Sequence, residues 1–108
     1  METITLEQFE KNDTDILVVK FEAGWCLPCK VIKESYKEYA EKNKDKAKFF
    51  VVDTDLDPEF MKSFGIRSIP TIIVKKYGKI ELIHHGIPFI NISKFLNEML
   101  SNIEISDK

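Results

Sequence analysis

Two periods of apolar residues alternate along this chain of 108 residues. Residues 16–21 (Ile-Leu-Val-Val-Lys-Phe) form a short apolar run broken only by Lys20. Its β-branched content reads as a buried strand. Cys29, Ile32, Tyr36, Tyr39 and Ala40 then recur at helical steps, which places them on one face of an amphipathic helix. That helix runs out in the charged stretch 42–48. Residues 49–52 predict a second buried strand. Asp57, Pro58 and Glu59 supply a cap, a first-turn proline and an acid at the positive end of a helix that stops by Gly65. Residues 71–74 and 80–84 predict two strands joined by a hairpin turn at Tyr77-Gly78. Ile92, Phe95, Leu96 and Met99 mark one face of a last helix over 91–100, and 101–108 is expected to fray. Near the N-terminus, Thr5 and Gln8 have capping-box spacing for a short helix over 6–11. Residues 3–5 are a further candidate strand.

This order predicts an α/β fold, a mixed sheet covered by helices on both faces. Strands separated by helices imply parallel neighbours with right-handed crossovers, and the hairpin must be antiparallel. No repeat or linker interrupts the pattern, so residues 1–108 read as a single domain. That length builds a core without disulfide staples.

Composition narrows the function. The chain is 44% hydrophobic and 31% charged, with a formal net charge of −2. It lacks the basic balance of a nucleic-acid binder. No apolar run approaches the roughly 18 residues of a membrane helix, so no contact with a bilayer core is expected. The start METITLEQFEKND has no basic segment followed by an apolar one, which argues against a secretory signal and for a cytoplasmic location. Two cysteines are too few for a disulfide framework. They leave redox chemistry, a partial metal site, or an inert pair.

Placement favours redox chemistry. Cys26-Leu27-Pro28-Cys29 follows a predicted strand directly and opens the amphipathic helix. A sulfur at a helix N-terminus faces unpaired N–H groups and the positive end of the dipole, which favour the nucleophilic thiolate. The two-residue spacing lets Cys29 resolve a mixed disulfide formed by Cys26. Pro28 suits helix entry and removes a competing amide donor. A zinc site needs four ligands and this pair supplies two. His84 and His85 are adjacent strand residues pointing to opposite faces, so at most one faces any given site. Asp53, Asp55 and Asp57 begin like a calcium loop, but Pro58 stands where glycine is required and Phe64 where the bidentate acid belongs. They read better as turn and cap residues. No metal or cofactor is expected. Trp25, just before Cys26, is expected at the rim of the site, where partly exposed aromatic surface serves protein contact.

The stretches Ile16-Leu17-Val18-Val19, Ala23-Gly24-Trp25-Cys26-Leu27-Pro28-Cys29-Lys30 and Gly65-Ile66-Arg67-Ser68-Ile69-Pro70-Thr71, with Gly86 after the hairpin, together resemble the thioredoxin family. The likeness spans most of the chain. It implies the thioredoxin fold and a protein-disulfide reductase. Cys26 would be the attacking, more exposed cysteine and Cys29 the buried resolving one. Pro70 would be a cis proline facing the disulfide, and Ile69 would offer backbone hydrogen bonds to an extended substrate. Gly86 would keep the groove open, with Trp25, Ile66 and Ile87 lining it. The implied partners are disulfide-containing proteins and thioredoxin reductase as electron donor, met by a monomer. A carrier dedicated to one partner enzyme and a redox-inactive binding module are the competing readings.

The chain departs from the family around this core. Leu27 replaces the usual glycine. Lys20 stands where the family has a buried acid, Val51 replaces that acid's lysine partner, and Glu22 and Glu34 replace a tryptophan and a helix-kinking proline. An unpartnered ammonium inside an apolar strand is costly. Lys20 and Glu22 share one strand face at about 6.6 Å separation. They are therefore expected either to pair beneath the active-site loop or to leave Lys20 snorkelling to solvent.

Overall fold

The computed structural model describes residues 2–86 and 92–106, with side chains in the last segment through Asn102. The elements are α1 (Leu6–Lys11), β1 (Ile16–Glu22), α2 (Leu27–Lys42), β2 (Lys48–Asp53), α3 (Pro58–Ser63), β3 (Thr71–Lys76), β4 (Lys79–His85) and α4 (Ile92–Ser106). The sheet order is β2-β1-β3-β4. β1 pairs with β2 in parallel, and with β3 antiparallel. β3 and β4 form the expected antiparallel hairpin.

Each element forms for a local reason. Thr5 and Gln8 close a reciprocal capping box at α1, with bonds of 3.0 and 3.1 Å. At the other end of α1, the buried Lys75 ammonium donates to the Phe9 and Glu10 carbonyls at 2.6 and 3.1 Å. A cation on the last carbonyls also complements the helix dipole. Asp57 caps α3 by accepting the Phe60 N–H, and Pro58 follows it. The hairpin turns on Tyr77 and Gly78, with φ of 48° and 87°. Two consecutive left-handed residues match the twist of the strands they join.

The alternation of β1 divides the core. Leu17, Val19 and Phe21 face α1 and α3, packing with Phe9, Phe60 and Ile73. Val18 faces α2 and α4, packing with Ile32, Tyr36, Leu96 and Met99. The α2 residues buried are Cys29, Ile32, Tyr36, Tyr39 and Ala40, the face that the periodicity predicts. Among the described residues no helix is long and apolar enough to cross a membrane.

Three expectations are corrected. β3, which follows a helix, runs antiparallel to its neighbour β1 rather than parallel. α3 has six residues, a length of about 9 Å against about 20 Å for a six-residue strand. Such a helix cannot carry the chain back along β2, so β3 enters from the end where β2 left. α4 continues to Ser106 instead of ending at residue 100. Of residues 3–5, Thr3 alone touches the sheet, in a single parallel bridge to Val51.

Candidate active site at the start of helix α2

β1 delivers the chain to a tight turn in which the Cys26 N–H donates to the Ala23 carbonyl at 3.1 Å. Cys26 is the N-cap of α2, and its sulfur accepts the Cys29 N–H at 3.2 Å. Its carbonyl takes the first helical bond, from the Lys30 N–H at 3.1 Å. Cys29 lies in the first turn. The two cysteines form a disulfide with Cα atoms 5.3 Å apart, inside the usual range. No acidic residue occupies the first turn of α2, so nothing there offsets its positive end. Cys26 and Cys29 are 4% and 3% exposed. In the disulfide state both are buried, and the contrast in exposure expected from the resemblance is absent. Leu27 and Trp25, on either side of Cys26 in sequence, are strongly exposed.

The segment before β3 covers the disulfide from the sheet side. Ile69 packs on Ala23, Cys26 and Cys29. The Ile69-Pro70 bond is cis and Pro70 is buried. The Pro70 carbonyl accepts the Gly86 N–H at 2.8 Å. Gly86 has φ of +76°, and a Cβ built there meets nothing within 4 Å. Backbone conformation, not crowding, requires glycine here, and the space above it is open. Ile66 departs from its expected place lining a groove. It is buried beside Phe9 and Phe60, because the α3–β3 connection turns its apolar side chain into the core. Ile87 lies outside the described residues.

Sequence reasoning missed Asp55, which it assigned to a turn. The Trp25 indole N–H donates to Asp55 Oδ2 at 3.0 Å. The residues are 30 apart in sequence and meet because β1 and β2 are parallel neighbours whose C-terminal ends adjoin. Local pattern carries no trace of that contact.

Lys20 is completely buried beneath α2, between Val51 and Ile72 in register. Its ammonium lies 2.8 Å from Glu22 Oε1, a close ion pair whose angles fall outside hydrogen-bond geometry. It also sits 4.7 Å from the centroid of the Tyr36 ring. Pairing is thus the outcome, not snorkelling. The Tyr36 hydroxyl donates to the Phe50 carbonyl at 2.9 Å. Burial pushes its phenol well above the ordinary tyrosine range, and the Glu22 charge adds to the effect. With Glu34 in place of a proline, α2 runs unbroken over its 16 residues.

Residues 1–98 match the family model described as thioredoxin. The chain belongs to the thioredoxin family. It is 34% identical over 93 residues to thioredoxin 1 of Nostoc sp., a match covering 84% of this chain and 87% of that protein. It is 37% identical over 78 residues to a thioredoxin of Listeria monocytogenes, covering 71% and 76%. Among solved structures, that of Plasmodium falciparum thioredoxin matches with a TM-score of 0.80 at 27% identity, covering 94% of this chain and 98% of that one. A thioredoxin-family chain with this dithiol–disulfide pair is a thiol–disulfide oxidoreductase, with the activity of a protein-disulfide reductase.

Proposed function

We propose that Cys26 is the attacking sulfur and Cys29 the resolving one. The supporting observation is that the Cys26 sulfur sits at the N-cap of α2 and accepts an N–H bond there. Negative charge on that sulfur is held by backbone donors and by the helix dipole. In the reduced protein, the Cys26 thiolate attacks one sulfur of a substrate disulfide. A mixed disulfide forms, and the other substrate sulfur leaves as a thiolate and takes up a proton. Cys29 loses its proton and attacks Cys26, the mixed disulfide breaks, and the second substrate thiol is released. Two electrons pass to the substrate and the Cys26–Cys29 disulfide remains.

The substrates in this reading are proteins. Ile69, Pro70 and Gly86 receive an extended segment next to Cys26, by backbone hydrogen bonding of the strand-addition kind. Trp25, held by Asp55, and Leu27 border the attacking sulfur. Lys20 and Glu22 support α2 from below through Tyr36. A thioredoxin reductase returns the electrons, and the reaction takes place in the cytoplasm. Insulin precipitation driven by dithiothreitol tests the assignment. The wild type is expected to accelerate it and Cys26→Ser to lose the acceleration. Acceleration surviving in Cys26→Ser contradicts it.

A further inference from the structure

A cleft of about 450 Å³ opens between the edge strand β4 and helix α4. Its floor is apolar. Leu82 and Phe95 lie against the core that α2 and α4 share, and Met99 is buried within it. Its rim is acidic, with a half-buried Glu81 from β4 and an exposed Glu98 from α4. Among the described residues neither carboxylate has an ion-pair partner. Lys79 and Lys94, the lysines closest to these acids in sequence, do not line the cleft.

His84 completes the rim. Its ring packs edge-to-face with Phe95, the centroids 4.8 Å apart. Its Nδ1 lies 2.7 Å from the Gly86 carbonyl oxygen. A carbonyl only accepts, so Nδ1 carries the proton and Nε2 of the neutral ring is left as an acceptor. The cleft thus sets acceptors around an apolar floor that includes an aromatic ring. The complementary group has a long apolar stem and a cationic head that only donates. Guanidinium answers that description: it has five N–H donors, pairs with carboxylates and stacks on aromatic faces.

The His84 bond also joins the cleft to the place beside the disulfide. Gly86 accepts from His84 with its carbonyl and donates to the Pro70 carbonyl with its N–H. Along β4, His84 is two residues from Gly86 and Glu81 is five, about 7 and 16 Å at strand rise. A substrate segment seated at Pro70 and Gly86 reaches the middle of that span with about four residues.

We propose that the β4–α4 cleft is a second recognition site, which takes an arginine that the substrate protein carries about four residues from its reacting cysteine. This rests on the reading of Pro70 and Gly86 as the seat of the substrate. Substrates with that arginine are reduced faster by about threefold, the scale of one solvent-exposed ion pair.

The test is a single turnover at low ionic strength with two symmetric peptide disulfides. Each peptide has one cysteine, with arginine four residues to either side of it in one peptide and citrulline at the same places in the other. Citrulline keeps the shape and removes the charge. The protein is reduced with dithiothreitol and freed of it before mixing. The Cys26–Cys29 dithiol supplies two electrons and becomes the disulfide, and each peptide disulfide yields two thiols, followed by mass spectrometry. Dithiothreitol alone gives the arginine-to-citrulline rate ratio intrinsic to the peptides. The wild type is expected to exceed it about threefold. Glu81→Gln and Glu98→Gln should each bring the ratio most of the way back. Glu10→Gln removes the same charge from the exposed side of α1, on the other face of the sheet, and should leave it unchanged. A ratio taken within one variant cancels any loss of folded protein. A wild-type ratio equal to that of dithiothreitol, an excess that survives both cleft substitutions, or one that Glu10→Gln lowers as much, overturns the second site while leaving the redox reading intact. Failure to reduce either peptide overturns the redox reading, and the second site with it.

Discussion

The Lys20 ammonium lies 2.8 Å from a carboxylate oxygen of Glu22, with the lysine completely buried and the glutamate side chain 22% exposed. The pair is asymmetric, and so are the consequences of breaking it. Glu22→Gln leaves an ammonium in the core without its counter-charge, at a cost of about 3 kcal/mol. Lys20→Met keeps the volume, removes the buried charge, and leaves a carboxylate that already reaches water. Its expected cost is under about 1 kcal/mol. Urea unfolding of both variants, compared at equal m, measures the difference. Equal losses in the two would contradict the burial-based account.

Tyr36 predicts how stability responds to alkali. Its folded phenol is raised above the ordinary value by burial and by Glu22. An unfolded tyrosine ionises near pH 10. Above that pH the unfolded chain loses a proton that the folded one retains, so stability is complete below about pH 10 and falls as pH rises through it. Tyr36→Phe should be less stable at neutral pH by about 1 kcal/mol, having lost the bond to the Phe50 carbonyl, yet show a flatter decline above pH 10. Urea unfolding from about pH 8 to about pH 11 provides the comparison.

Gly78 and Gly86 both have positive φ, 87° and 76°. Each is expected to lose about 1 kcal/mol on substitution by alanine. The added methyl at Gly78 lies 3.2 Å from the carboxylate oxygen of the exposed Asp13, which can turn aside. At Gly86 it meets nothing within 4 Å. If a substrate segment passes there, Gly86→Ala lowers kcat/KM for insulin several-fold more than for a small aromatic disulfide. An equal effect on both substrates removes Gly86 from the binding surface.

The elements were legible in the sequence where local chemistry decides them. The five residues predicted for the inner face of α2 are the five buried there, and the caps of α1 and α3 form as their residue types require. The Cys26–Cys29 pair was legible for the same reason, since its place between a strand and a helix is a local fact. Tertiary pairing was not. The antiparallel entry of β3 depends on α3 being too short to reverse the chain, and the Trp25–Asp55 bond on which strands adjoin. Ile66 looked like a site residue by motif, but its burial follows from the packing of α3 against β1 and β3. Lys20 is the intermediate case: its strand position and its neighbour Glu22 were visible, while the Tyr36 ring that also meets its ammonium is set by how α2 crosses the sheet.

The central claim is that Cys26 attacks and Cys29 resolves. Cys29→Ser, reduced and then mixed with insulin, is expected to accumulate a covalent adduct that peptide mapping places on Cys26, because no second sulfur remains to release it. Cys26→Ser under the same conditions should form little adduct. An adduct that builds up as fast on Cys29 of the Cys26→Ser protein would contradict the assignment.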